Sequence, residues 1–337
     1  MSPFGLDIGS DSIKIAQVEG SGGRFSLVTA GMIKTPGNGL ASESEKDLVM
    51  IAETIKKLMK EVNLHASEVV IALPERDVFT QVVEMPKMST DQLNQAIPWE
   101  AENLIPRPLT EVNLDWQILN SAGENSTKMK VLLIAAPKEK VNKYLKVLRI
   151  ADLDPLALET NTLAITRLLN LALPQTDSLL VDFGAESLGT ALIKQGQLLA
   201  VRSLPFGGQA ITRAISTAFN FDFPMAEEYK KTYGFTSQLE NKVASAMMPV
   251  LTSMASELKK IVHFYEEKEQ KPLKLITLVG AGALLPGLPE FLTQALALEV
   301  QVIDPFSVIK TEEKTHEVFK KSAPLFAVAI GLAMKEA

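Results

Sequence analysis

Among its 337 residues the chain has no cysteine. That excludes a disulfide framework, a thiolate nucleophile and any cysteine-bound metal. Histidine is almost as scarce. His65, His263 and His316 stand far apart, so a histidine metal centre is not expected. A basic excess is also missing: the formal net charge is −6 and the pI is near 5.4, the wrong sign for a nucleic-acid binder. No apolar run suits a bilayer span, since LITLVGAGALLPGLP and LFAVAIGLAM are short or broken by glycine and proline. The opening MSPFGLDIGS has no basic segment followed by an apolar one, so a secretory leader is not expected and a cytoplasmic location is. What is present is globular in type: 46% hydrophobic, 22% charged, and long enough for two domains that each bury a core unaided.

One phrase is written twice. LDIGSDS near the start returns as VDFGAES, with Asp7 on Asp182, Gly9 on Gly184, Asp11 on Glu186 and Ser12 on Ser187, an offset of 175 residues. Two copies half a chain apart point to a duplicated domain. Each copy reads as a strand, a glycine turn and a second strand. The glycine lets backbone N–H groups approach an anion closely, and hydroxyls at the turn add donors. An aspartate at the strand end can hold water on a Mg²⁺ that bridges phosphates. Two such hairpins facing across a cleft would grip one polyphosphate.

The hydrophobic spacing fills in the rest. EKDLVMIAETIKKLMKEVN has helical spacing through Leu48, Ile51, Ile55 and Leu58, and EVVIAL is a short buried strand. Residues 77–152 have their own rhythm of strand, helix, strand, strand, helix and read as an inserted α+β unit. Ser89 and Gln92 form a capping box there, and Pro98 should kink or restart the helix that follows. The second half repeats three strands (178–204), then helices, with a long one over about 240–269. LVGAGALLPGLPEFL places Gly280, Ala281 and Gly282 between a strand and a helix, where close contact with a base or phosphate is allowed. AEEYKKTYG sets Glu227, Lys230 and Lys231 within about one helical turn, where the carboxylate can accept from ribose and the lysine stems can cover a purine.

These elements together resemble the actin-like ATPase superfamily. LDIGSDS and VDFGAES resemble its two phosphate motifs, LVGAGALLPGLPEFL its adenosine motif, and LETNTLAITRLL and FAVAIGLAM its two connecting helices. Within that superfamily, EMPKM, WEAENLIPRPLTEVNLDWQIL, LAVRSLPFGGQAIT and AEEYKKTYGF resemble the PilM family of type IV pilus assembly proteins, relatives of the division protein FtsA. The resemblance implies an α/β actin-like fold: two duplicated subdomains around a nucleotide cleft, with a small α+β insertion in the first half. The implied bounds are 1–76 and 153–170 for the first subdomain, 77–152 for the insertion, 171–322 for the second half and 323–337 for a final connecting helix.

The same resemblance implies ATP and Mg²⁺ as cofactors. It maps the metal to Asp7 and Asp182. Phosphate contacts map to Gly9, Ser10, Asp11, Ser12 and Lys14, and to Gly184, Ala185, Glu186 and Ser187. The ribose side maps to Gly207 and Gly208, and the nucleoside to Glu227, Lys230, Lys231, Gly280, Ala281 and Gly282. The residue positioned for hydrolysis is Glu159, followed by Thr160 and Asn161. The second loop reads FGAES where active members commonly carry FGGGT, and a carboxylate near a terminal phosphate is repulsive. ATP binding with slow or no hydrolysis is therefore expected. The implied role is a scaffold in pilus biogenesis and twitching motility, attached to the inner membrane only through its partner. That partner would be the N-terminal cytoplasmic peptide of PilN, lying in a groove lined from 78–88 and 93–104, with other platform or motor proteins nearby. The fold permits homo-oligomers. An FtsA-like division protein is the nearest alternative, but the chain stops at AMKEA without the expected membrane helix. An actin-fold ATPase or small-molecule kinase is a further alternative, for which no acceptor pocket is nominated.

Overall fold

The structure, a computed structural model, describes residues 2–121, 127–236 and 238–335. Strands β1 (Phe4–Ile8), β2 (Ser12–Ser21) and β3 (Arg24–Lys34) form a meander, followed by α1 (Glu45–Glu61) and β4 (Glu68–Leu73). Next come β5 (Phe79–Pro86), α2 (Thr90–Leu104), β6 (Val112–Ser121), β7 (Lys128–Pro137) and α3 (Lys138–Ile150), then β8 (Asp154–Thr160) and α4 (Asn161–Ala172). A second meander of β9 (Ser178–Phe183), β10 (Leu188–Lys194) and β11 (Gln197–Leu204) leads into α5 (Gly208–Phe219), α6 (Phe223–Tyr233) and α7 (Lys242–Glu269). The remaining elements are β12 (Leu275–Val279), α8 (Leu288–Leu296), β13 (Glu299–Val302), α9 (Pro305–Val308), α10 (Glu313–Phe319) and α11 (Ala327–Ala333).

Two five-stranded sheets result, ordered β3-β2-β1-β4-β8 and β11-β10-β9-β12-β13. Each is an antiparallel meander extended by two parallel strands. The phrase repeated in sequence is thus a repeat of architecture. Strand alternation then places the polar residues. In β1, Phe4, Leu6 and Ile8 enter a core with α1 and α3, which leaves Gly5 and Asp7 on the other face. In β9, Leu179, Val181 and Phe183 enter the core of the second half, and Leu180 and Asp182 face the middle.

That middle layer is α4 and α11, packed between the two sheets with Val70, Ala72, Leu180 and Ala191. α11 is buried at every position. Its fit to β1 leaves no space for a side chain: a Cβ on Gly5 would sit 2.0 Å from the Ala329 carbonyl oxygen. A Cβ on Gly331 would sit 2.1 Å from the carbonyl oxygen of Ala164 on α4. The first connecting helix begins later than the sequence suggests. Leu158, Glu159 and Thr160 finish strand β8, and the Thr160 side chain caps α4 by accepting from the Leu163 N–H at 3.3 Å.

The insertion is a three-stranded sheet, β5-β7-β6, covered by α2. Its capping box is present: Ser89 Oγ accepts from Gln92 N–H at 3.3 Å, and Gln92 Oε1 accepts from Ser89 N–H at 2.9 Å. Pro98 does not break the helix, which runs through it from Thr90 to Leu104. Pro98 lies on the exposed side, so the backbone carbonyl it leaves without a donor can turn to water. The segments expected to line a peptide groove also build the insertion's core. Leu93, Ile97, Val83 and Met85 are spent inside the insertion's own core, and Ala101 fills a second small cluster. Within α2 the large apolar side chain left outside is Trp99, 75% exposed. α3 buries Tyr144, Val147 and Leu148 in the core of the first half. Among the described residues no helix is long and apolar enough to cross a membrane.

Candidate functional site

A cleft of about 520 Å³ opens between the sheets and is lined by both repeated loops. The two loops make the same turn. Gly9 N–H donates to Ser12 O at 3.1 Å, and Gly184 N–H donates to Ser187 O at 3.0 Å. Gly9 is sterically required there, because a Cβ would lie 2.8 Å from Ser12 O. Thr35 braces the first loop by donating its hydroxyl to Gly9 O at 2.7 Å. The start of α5 braces the second: Gly208 and Gln209 N–H groups donate to Gly184 O and Ala185 O at 3.0 and 2.8 Å. Gly207 allows this docking, since its Cβ would fall 2.4 Å from the Glu186 carbonyl carbon.

The two aspartates share the cleft wall but not their chemistry. Strand register sets Lys14 opposite Asp7 and Gly189 opposite Asp182. Lys14 Nζ donates to Asp7 Oδ2 at 2.9 Å, and both residues are buried. Among the described residues Asp182 has only the Asn161 amide, at 3.3 Å. Burial pushes the Asp182 carboxyl up to about 6, with the Asp7 and Glu75 charges adding to the rise and Asn161 and Lys14 opposing it. Glu75 also lines the cleft, and both of its carboxylate oxygens are buried without a well-formed hydrogen bond. Burial pushes its pKa up, and the hydroxyls of Thr80, Thr162 and Thr160 soften the cost without removing it. Among the described residues no cluster of three or more His, Asp or Glu side chains could hold a metal alone. A divalent ion here would complete its shell with water or phosphate oxygens.

The structure gathers Asp7, Gly9, Ser10, Asp11, Ser12, Lys14, Asp182, Gly184, Ala185, Glu186, Ser187, Gly280 and Ala281 on this one cleft. Gly280 has φ +81, and a Cβ there would crowd Asp182 Oδ1 at 2.8 Å. Gly282 faces elsewhere: its Cβ would overlap the Phe183 ring at 2.1 Å, so its smallness serves packing. Lys230, Glu227 and Thr212 form a cluster behind Gly208. Lys230 Nζ donates to Glu227 Oε2 at 2.6 Å, to Thr212 Oγ1 at 2.9 Å and to Gly208 O at 3.1 Å. Lys231 is on the outside, 3.2 Å from Glu227.

Glu159 is not brought to the cleft. Its buried carboxylate takes a forked pair from Arg167 at 2.8 and 2.9 Å, and Lys335 at 2.5 Å. Arg167 also donates to Gly331 O at 2.6 Å, so the trio pins α4 to α11. Glu159→Gln is expected to lower folding stability by about 2–3 kcal/mol, because it leaves a partly buried cation short of its partner. Ligand affinity at the cleft should stay within threefold of the parent. Denaturant titration alongside calorimetry reads both quantities, and a lost ligand affinity at intact stability would return Glu159 to the site. Several lining residues escaped the sequence reading, among them Arg76 and, on α3, Lys140, Lys143 and Tyr144, while Asn161, named there beside Glu159, does line the cleft. A visible signal existed for Glu75 and Arg76, a charged pair that follows Pro74 at the end of the buried apolar run 69–73 of β4.

Comparison with known proteins agrees with this architecture. A solved PilM-PilN type IV pilus biogenesis complex is 31% identical, with a TM-score of 0.88 over 100% of this chain and 99% of that one. MreB5 of Spiroplasma citri bound to ADP matches in fold, with a TM-score of 0.56 and 12% identity over 97% of this chain and 94% of that one. The cell division protein FtsA of Streptococcus pneumoniae is 21% identical over 90% of this chain and 76% of its own length. The fold is that of the actin-like ATPases. The family model for the type IV pilus assembly protein PilM matches residues 5–337, and the chain belongs to that family.

Proposed function

We propose that the cleft binds ATP with Mg²⁺, and that the loaded chain acts as a scaffold of the pilus assembly platform. The observation that carries this reading is the pair of identical hairpin turns opposed across one cleft, each bringing an aspartate. Asp182, which lacks a cation of its own, is the carboxylate toward the metal. Asp7 is already neutralised and holds Lys14 beside the first loop, ready for phosphate. The backbone N–H groups of both loops and the hydroxyls of Ser10, Ser12 and Ser187 supply further donors. Mg²⁺, when bound, would neutralise phosphate charge. The cluster of Glu227 and Lys230, with Gly280 and Ala281, frames the nucleoside side.

Hydrolysis is slow in this reading for a physical reason. Glu159 is committed to Arg167 and Lys335, which takes the expected base out of the cleft. Calorimetry should register ATP binding that depends on Mg²⁺, and labelled ATP should be recovered largely intact after long incubation. No binding at millimolar nucleotide would sink the proposal, and brisk multiple turnover would sink its slow-hydrolysis clause.

The partner is the cytoplasmic N-terminal segment of a PilN-type membrane protein, through which the chain would lie at the inner membrane. Membership in the PilM family and similarity to a chain solved in a PilM-PilN complex support this. A labelled peptide of that segment should bind with saturable anisotropy, whereas an unchanged signal up to millimolar chain would remove the partner from the account.

A further inference from the structure

Arg76 joins the two repeated loops. It follows β4 in a short turn, Glu75–Asp77, at the cleft mouth. One Nη pairs with Glu186 of the second loop, and the other lies 3.4 Å from Ser10 Oγ of the first. Its Nε is 3.9 Å from Asp77 Oδ2, and Asp77 in turn meets Lys140 of α3 at 3.4 Å. Among the described residues it is the arginine that lines this cleft.

We propose that Arg76 reads the terminal phosphate of a nucleoside triphosphate, and that Glu186 is its built-in competitor; this rests on the nucleotide reading above. The position is right, because a group spanning the two loops stands where a chain of phosphates gripped by both would end. The chemistry is right, because a guanidinium fork matches a phosphate's oxygens, and a doubly charged phosphate outbids a single carboxylate. The pair is also exchangeable. Both side chains are 31% exposed, and pairs so open to water are weakly held. Glu186, left bare once Arg76 turns to the phosphate, also repels it, so its carboxylate lowers triphosphate affinity twice over. A diphosphate does not reach this position and leaves the Arg76–Glu186 pair intact. Arg76 therefore sets preference for triphosphate over diphosphate rather than affinity for nucleotide in general.

The test measures the dissociation constants of ATP and ADP, each with excess Mg²⁺, for the parent chain, Arg76→Ala, Arg76→Lys and Glu186→Gln. Arg76→Ala should weaken ATP at least tenfold while ADP changes less than threefold. Arg76→Lys should fall between, since it keeps the charge and loses the fork. Glu186→Gln should tighten ATP about threefold or more with ADP unchanged, a gain that misfolding cannot imitate. Equal weakening of both nucleotides, or no gain in Glu186→Gln, overturns the role of Arg76 while leaving nucleotide binding in place. A parent chain that binds neither nucleotide overturns both.

Discussion

Asp182→Asn is expected to move stability and ligand binding in opposite directions. The native carboxyl is pushed from an ordinary 3.8 up to about 6, chiefly by burial. The folded chain thus holds this proton more tightly than the unfolded chain does. By linkage, the associated stability is complete below about pH 4 and is lost as pH rises through about 6. Each pKa unit is worth about 1.4 kcal/mol, so ionised Asp182 costs about 2 kcal/mol at pH 8, the figure being kept low because the side chain borders the open cleft. Asparagine cannot ionise. The variant should therefore be about 2 kcal/mol more stable than the parent at pH 8, and the advantage should vanish near pH 4. The same variant should lose more than tenfold in affinity for ATP with Mg²⁺, and the parent's affinity should itself weaken as pH falls through about 6. Denaturant midpoints and calorimetry over this pH range decide it. A variant that is less stable at pH 8, or that binds ATP as the parent does, contradicts the assignment of Asp182.

Gly5→Ala should be a severely damaging single-methyl change. The new Cβ would lie 2.0 Å from Ala329 O, 2.7 Å from Ala333 N and 2.8 Å from Leu332 Cβ. Two of these three atoms are backbone of a fully buried helix, so no rotamer change relieves the clash. Overpacking commonly costs about 1–3 kcal/mol, and a backbone obstacle on a central strand belongs beyond that range, at more than about 3 kcal/mol. The expected result is little folded protein, or a melting temperature lowered by ten degrees or more. Gly22→Ala is the contrast: its φ is +59, yet a Cβ there would meet nothing within 4 Å. It should cost only about 1 kcal/mol of backbone strain. A Gly5→Ala chain that melts like the Gly22→Ala chain would show that α11 can retreat from β1.

The repeated strands were legible because their signals are local. Alternation in FGLDI and SLLVDF fixes which residues face a core, and therefore fixes where Asp7 and Asp182 point. Helix α1 and the Ser89 capping box were readable for the same reason. What stayed hidden was pairing at a distance. Glu159 sits next to the polar Thr160 and Asn161, and its bonds to Arg167 and to Lys335, 176 residues away, hold it outside the cleft. Arg76 gains its meaning from Ser10 and Glu186, which no local pattern connects to it. The unequal state of the two aspartates is a middle case. Lys14 and Gly189 occupy matching places in the two copies, but their effect appears only once the strands are set in register. At Pro98 the helix does not restart, because a proline's cost depends on which side of the helix its orphaned carbonyl faces.

The crossing of α4 and α11 has a mechanical corollary. At Gly331 and Ala164 the helices approach through main-chain atoms, closer than any side chain would allow. The Arg167 clamp on Gly331 O holds the two rods together at this point. A change in the gape between the halves would therefore be expected to pivot here, with the least displacement beside Gly331 and the most at the rim.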